Sequence, residues 1–256
     1  MENDLDFVTA QLAEAGFIAA RDEAEELLEC SHDDDNVLAS MIDRRMRGEP
    51  LAWITGSATF CGVKIRVEHG VYVPRWQSEG LARLAVSRLP ERGTAIDLCT
   101  GSGAIAATLL THRPNARVVA SDLDERAVAC ATSNGVEVYG GDLFTPLPHE
   151  LFGEVDVVVG VVPYVPTPSL SFLPRDTFIF ESRTSYDGGP DGLNILRRVV
   201  RESPRFLRSG GCLLVELGGE QAELLQRELT RFRFIDVKLL TDDDGDVRGL
   251  EATLSA

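Results

Sequence analysis

The feature that most constrains the fold is an apolar strand that leads directly into a glycine-containing turn and a helix. The segment Thr94–Leu98 predicts a buried strand, Gly101 and Gly103 predict a tight turn, and residues 104–110 predict a helix. Glycine lets the backbone turn sharply and approach a ligand closely, and a helix N-terminus presents unpaired N–H groups. Turns of this kind occur in α/β folds that bind ligands at the carboxyl ends of parallel strands.

Alternating strand and helix patterns continue beyond this turn. Helices are predicted in most of the gaps between five further strands, at residues 117–121, 136–139, 155–160, 212–217 and 233–240. Such alternation is typical of a mainly parallel sheet that is covered by helices on both faces. We therefore predict an α/β fold with a Rossmann-like sheet.

A different pattern precedes the sheet. Apolar residues at helical spacing predict three short helices before residue 50, the third over residues 37–47. Residues 60–67 then alternate between apolar and polar, which predicts a strand within a hairpin. These shifts predict three units: a helical domain over residues 1–50, a β-hairpin linker over residues 51–73 and the main domain over residues 74–256.

Charge and composition narrow the possible partners. The net charge is −16, and residues 1–50 contain 14 acidic and 4 basic residues. An acidic chain repels phosphates, so we expect no nucleic acid partner, although an acidic surface is also common in soluble proteins. No apolar run is long enough to span a membrane, and residues 1–10 do not resemble a signal peptide. Five scattered cysteines without a C-x-x-C pair indicate a cytoplasmic protein without a metal site. The sequence is compatible with a homodimer.

Two acids follow the next strands at positions suited to an adenosine ligand. Asp122 lies about 20 residues beyond the glycines, where a carboxylate can accept both ribose hydroxyls. Asp142 could accept from an adenine amino group, with Leu143 and Phe144 beside the ring. The turn lacks the third glycine of dinucleotide sites, which favours an adenosine ligand without pyrophosphate. The alternative is a nucleotide-free turn with surface acids.

Several motifs together resemble the HemK/PrmC family of protein-glutamine N5-methyltransferases. They are Arg44 to Gly56, Phe60-Cys61-Gly62, Val73-Pro74-Arg75, Asp97-Leu98-Cys99-Thr100-Gly101-Ser102-Gly103, Asp187-Gly188-Gly189-Pro190-Asp191-Gly192-Leu193, Val215-Glu216-Leu217-Gly218 and Asp242 to Arg248. The resemblance implies a seven-stranded class I methyltransferase sheet, a helical domain that docks the substrate, and methyl transfer to a side-chain nitrogen. It also implies S-adenosylmethionine as cofactor, bound by Asp97, Cys99, Thr100, Gly101, Gly103, Asp122, Leu123, Asp142, Leu143 and Val161.

The sequence departs from the family at its substrate motif. The family's N-P-P-Y is replaced by Val161-Val162-Pro163-Tyr164. The resemblance implies that the asparagine accepts a hydrogen bond from the substrate amide, and valine can neither accept nor donate. Loss of that hydrogen bond would cost a glutamine amide roughly 1–3 kcal/mol in a dry site.

Three hypotheses follow from this departure. The favoured one is a guanidinium substrate, arginine either free or in a peptide, because carboxylates bind a cation strongly. The second is protein glutamine, and the third is a cofactor-binding scaffold without catalysis. A DNA N-methyltransferase is disfavoured by the acidic chain and by the missing asparagine.

The substrate site is predicted from the motif and from nearby acids. We predict Tyr164, Pro163 and Glu181 as catalytic residues, and Val162, Tyr164, Glu181, Asp187 and Glu79 as substrate-binding residues. Structural alternatives exist for each acid: Glu181 as a cap, Asp187 as a stabiliser of the glycine turn, and Glu79 as a partner of its helix dipole.

Overall fold

Three helices begin the computed structural model, which describes residues 2–173 and 177–256. They are α1 (Glu2–Glu14), α2 (Ala20–Ser31) and α3 (Asp35–Met46). The Asp34 carboxylate starts α3 by accepting the backbone N–H groups of Asn36 and Val37 at 2.9 and 3.2 Å. Their apolar faces form a separate hydrophobic cluster, which includes Val8, Leu12, Ala24 and Leu27 and is joined by Ile54 from the next helix.

A short helix and a hairpin follow. Helix α4 (Leu51–Thr55) leads into β1 (Ser57–Phe60) and β2 (Val63–Arg66), which pair antiparallel. The alternating pattern predicted one strand through residues 60–67, but the chain reverses at Cys61 and Gly62. Both residues have positive φ, 49° and 75°, which suits a two-residue hairpin turn. Alternation alone does not reveal the turn, because Cys61 occupies a position where a glycine or asparagine would be the usual signal.

The main domain is a seven-stranded sheet with helices on both faces. Its strands are β3 (Thr94–Leu98), β4 (Arg117–Asp122), β5 (Glu137–Gly140), β6 (Val155–Gly160), β7 (Leu207–Glu216), β8 (Phe234–Thr241) and β9 (Val247–Leu254). The helices are α5 (Glu79–Arg88), α6 (Ala104–His112), α7 (Glu125–Ser133), α8 (Thr177–Phe180), α9 (Asn194–Glu202) and α10 (Gln221–Arg231). The predicted fold class is confirmed.

The strand order is β5-β4-β3-β6-β7-β9-β8. The first five strands in this order run parallel, whereas β9 is antiparallel to both of its neighbours. The sequence patterns did not predict β9, because Arg248, Gly249 and Glu251 interrupt its apolar residues. Glu251 is nevertheless buried, since the Arg88 guanidinium pairs with its carboxylate.

The register aligns the strand ends that form the site. Gly160 at the end of β6 pairs with Leu98 of β3 on one side and with Val215 of β7 on the other. The residues that follow these three strands therefore lie next to one another at one edge of the sheet. Among the described residues, no helix is both long and apolar enough to cross a bilayer.

Candidate functional site

A cavity of about 1200 Å³ opens at the carboxyl ends of the parallel strands. Its wall contains most of the predicted residues, namely Cys99, Gly101, Asp122, Leu123, Asp142, Leu143, Val161, Val162, Pro163, Tyr164 and Asp187. It also contains Tyr72, Arg75, Tyr186, Glu216 and Arg248, which were not predicted. Five other predicted residues are not part of the wall: Asp97, Thr100, Gly103, Glu181 and Glu79.

Asp97 supports the turn after β3 from behind. Its side chain is buried, with 1% of the residue exposed, and its Oδ2 accepts from the Thr100 hydroxyl at 2.6 Å and the Ala106 N–H at 3.2 Å. Burial raises the pKa of Asp97 to about 7. Gly103 lies against α7, where an added Cβ would come within 3.0 Å of the Ala131 Cβ. These residues therefore shape the turn rather than face the cavity.

Cys99 lies at a position where the backbone favours glycine. Its φ is +54°, in the left-handed region that residues with a side chain rarely adopt. The family motif has glycine there, which is the residue that this backbone conformation favours. Burial raises the pKa of the Cys99 thiol, which keeps it neutral at physiological pH.

Asp122 offers the acceptor oxygens that ribose hydroxyls need. Its two carboxylate oxygens accept the N–H groups of Gly101 at 2.8 Å and Asp124 at 2.9 Å. The neighbouring Ser121 belongs to the cavity lining, but its hydroxyl is buried and has no hydrogen-bond partner among the described residues. Burial raises the pKa of Asp122. Each carboxylate oxygen keeps one accepting position, which a ligand hydroxyl would fill.

Asp142 and its neighbours form the next part of the wall. The Arg198 guanidinium donates to both Asp142 oxygens, at 3.0 and 2.9 Å. Leu143 lines the cavity, with a positive φ of 48°. Phe144 does not flank a ligand as predicted, because it points into the core and stacks on Phe206 with ring centroids 4.8 Å apart. The apolar spacing of the segment does not distinguish these two directions.

The altered substrate motif follows β6 directly. All three valine and proline residues of the motif belong to the cavity wall; Val161 and Pro163 are partly exposed, whereas Val162 is almost fully buried. The Tyr164 hydroxyl donates to Glu216 Oε1 at 2.9 Å, and its backbone carbonyl accepts from the Gln221 side-chain amide at 2.8 Å. Burial raises the pKa of the Tyr164 phenol, so this hydroxyl remains protonated.

Glu181 lies behind the cavity wall rather than in it. Its carboxylate pairs with Arg75, accepts the Tyr186 hydroxyl and accepts the Val73 N–H at 3.0 Å. Arg75 and Tyr186 themselves line the cavity. Glu181 therefore holds the Arg75 and Tyr186 side chains in place. No spacing in the sequence links Glu181 to Arg75.

The other two predicted acids also have protein partners. Asp187 accepts the Thr167 hydroxyl at 2.6 Å and the Gly189 N–H at 3.0 Å, and the Thr167 hydrogen bond is the main reason for its lowered pKa. This matches the alternative in which Asp187 stabilises the glycine turn. Glu79 accepts the Cys61 N–H at 2.9 Å and pairs with Arg83 at 2.9 Å.

Glu216, which ends β7, is one of two cavity acids that the prediction missed, the other being Asp124. Glu216 is 6% exposed, and its oxygens accept from the Ser78 hydroxyl at 2.5 Å and the Tyr164 hydroxyl at 2.9 Å. Burial raises the pKa of Glu216. A carboxylate directly after an apolar strand, in the Val215-Glu216-Leu217-Gly218 motif, was the signal available in the sequence.

Comparison with known proteins gives consistent matches. The family model described as "Methyltransferase small domain" matches residues 62–143. A release factor glutamine methyltransferase of Geobacter sulfurreducens is 34% identical over 94% of this chain and 92% of its own length. One of Mycobacterium leprae is 35% identical over 83% of this chain and 82% of its own length. The E. cuniculi Mtq2-Trm112 complex, responsible for methylation of the eRF1 translation termination factor, has a similar fold. Its TM-score is 0.53, with 22% identity over 73% of this chain and 99% of the matched chain.

Proposed function

The chain belongs to the family of release factor glutamine methyltransferases, and we propose that it methylates the side-chain amide of a glutamine in a release factor. The resemblance to the HemK/PrmC family is thus confirmed, and the chain is an S-adenosylmethionine-dependent methyltransferase. The observation that carries the proposal is the match to the Geobacter relative along almost the whole of both chains.

The arginine hypothesis is wrong. Relatives that cover most of the chain are named for glutamine, and none of those reported above is named for arginine. Its physical premise also fails, because the acids expected to bind a guanidinium already have partners. Glu181 pairs with Arg75, Asp187 lies 3.5 Å from Arg183, and Glu79 pairs with Arg83.

The cavity residues fit the adenosine part of S-adenosylmethionine. We propose that Asp122 accepts the ribose hydroxyls and that Leu143 packs against the adenine. The open space above Gly101, where an added Cβ would meet no atom closer than 3.9 Å, supports this assignment. When bound, the cofactor supplies an electrophilic methyl group on a sulfonium.

The other end of the cavity suits an uncharged amide. Val161 and Pro163 are apolar, so an amide loses less solvation there than a cation would. Tyr72, whose pKa burial raises to about 12, and Tyr186 supply neutral hydroxyl groups. Arg75 is held by Glu181 and so does not offer an unpaired positive charge. We further propose that residues 1–50 dock the protein substrate.

The direct test is methylation of a recombinant bacterial release factor by the purified protein with isotopically labelled S-adenosylmethionine. Tandem mass spectrometry should locate one methyl group on a glutamine, and a release factor with that glutamine changed to glutamate should remain unlabelled. A methyl group on another residue type would contradict the proposal. Cofactor binding by calorimetry without any transfer would instead support a scaffold without catalysis.

A further inference from the structure

Five carboxylates line the described part of the cavity wall, and three of them lie beside an arginine. Asp124 pairs with Arg126, Asp142 with Arg198 and Asp187 with Arg183. The other two, Asp122 and Glu216, have no cation within 4.0 Å in the described ranges. A buried carboxylate without a cation is costly to maintain, and such groups concentrate at functional sites.

Glu216 occupies the register position beside Val161. Gly160, the last residue of β6, pairs with Val215, so Val161 directly follows β6 beside Glu216, the last residue of β7. Adjacent strands lie about 4.8 Å apart. Both residues line the same cavity. The Val161 side chain has no hydrogen-bonding group. The adjacent Glu216 therefore supplies the hydrogen-bond acceptor in this part of the cavity.

The orientation of the Glu216 carboxylate is fixed, and part of its accepting capacity is free. Ser78 donates to Oε2 and Tyr164 donates to Oε1. A carboxylate oxygen can accept two hydrogen bonds, so each oxygen keeps one position for another donor. Burial raises the pKa of Glu216, which makes this carboxylate a stronger base than one in water.

We propose that Glu216 accepts a hydrogen bond from the substrate amide nitrogen and takes up the proton that methylation releases. This inference rests on the proposed function. The nitrogen lone pair forms the new carbon–nitrogen bond, and the carbon–sulfur bond breaks with its electron pair remaining on sulfur. The methylated nitrogen then loses one proton to the Glu216 carboxylate, which passes it to solvent. The step needs no oxidant and no further reactant.

The central variant is Glu216→Gln. Glutamine keeps the size of the side chain and can still hydrogen-bond to Ser78 and Tyr164, but it loses the charge and the basicity. We expect kcat to fall about 10- to 100-fold, with Tm and S-adenosylhomocysteine affinity close to those of the wild type. Tyr164→Phe removes only a donor to Glu216 and should reduce kcat less. Glu223→Gln, on the exposed face of α10, is the matched control and should retain full activity.

Two further readouts separate action on the substrate from a structural role. The wild-type kcat should fall as the pH drops through the pKa of Glu216, because a protonated carboxyl cannot accept the proton. This limb should disappear in Glu216→Gln. Adding Val161→Asn to Glu216→Gln restores a carbonyl acceptor at the adjacent register position, and kcat should recover about 10-fold.

Binding provides a readout that does not depend on turnover. With the protein saturated by S-adenosylhomocysteine, a glutamine-containing release factor peptide should bind more weakly to Glu216→Gln than to the wild type. The inference would be overturned if Glu216→Gln bound the peptide as tightly as the wild type does. It would also be overturned if Glu216→Gln and Tyr164→Phe had the same kcat and the same pH profile. If the wild type methylates no glutamine, the proposed function fails, and the peptide affinities still decide the role of Glu216.

Discussion

Replacement of Glu181 by alanine tests whether this acid supports the cavity wall or acts on the substrate. Its side chain is 2% exposed and receives three donors, from Val73, Arg75 and Tyr186. Alanine leaves the Val73 N–H without a partner and removes the anion beside Arg75. Loss of one partner from a buried pair costs about 3–5 kcal/mol.

The expected loss lies at the lower end of that range. The Arg75 side chain is 37% exposed, so water screens part of its charge once the anion is gone. We therefore expect the free energy of unfolding to fall by about 3 kcal/mol. At about 2–4 °C per kcal/mol for a chain of this size, Tm should fall by about 6–12 °C.

Differential scanning calorimetry and urea unfolding at pH 7 measure both quantities without cofactor. The control is Asp43→Ala, which removes an exposed arginine–carboxylate pair with Arg47 on α3 and should leave Tm almost unchanged. An unchanged Tm for Glu181→Ala together with lost methyl transfer would refute the reasoning and support the original prediction of a catalytic Glu181.

Three further predictions concern the cofactor side of the cavity. Asp97→Asn should raise the free energy of unfolding at pH 8 by up to about 4 kcal/mol, measured by urea unfolding. Asparagine removes the buried charge, and its carbonyl oxygen can still accept from the Thr100 hydroxyl and the Ala106 N–H. The native pKa of Asp97 is raised to about 7 and the unfolded value is about 4, so the wild type loses stability as the pH rises through this window. The gain should therefore vanish near pH 4, and a gain independent of pH would contradict the reasoning. Asp122→Asn should weaken S-adenosylhomocysteine binding about 10- to 100-fold in calorimetry, and unchanged affinity would remove Asp122 from the site. Cys99→Val should be about 2 kcal/mol less stable than Cys99→Gly in urea unfolding, because a β-branched residue does not tolerate a φ of +54°, and equal stabilities would count against backbone strain.

Features that depend on residues close together along the chain could be predicted from the sequence. The strand–turn–helix over residues 94–110 follows from apolar spacing and two glycines, and the acids at Asp122 and Asp142 follow from their places after strands. The departure at Val161 was also readable, because it lies within a continuous motif. Each of these signals arises from contacts or conformations within a few residues along the chain, and so it leaves a pattern in the sequence.

Which acids are paired with a cation and which are not became apparent from the folded chain. Glu181 meets Arg75 across 106 positions, and Glu216 meets Ser78 across 138 positions. A hydrogen bond between such distant residues imposes no periodicity. The sequence therefore does not distinguish an acid that is paired with an arginine from one that is not. Strand β9 was not predicted for the same reason: the charge of its buried Glu251 is compensated by Arg88, which lies on a helix distant in sequence. Folding brings these partners together, and it leaves Glu216, beside Val161, without a cation among the described residues.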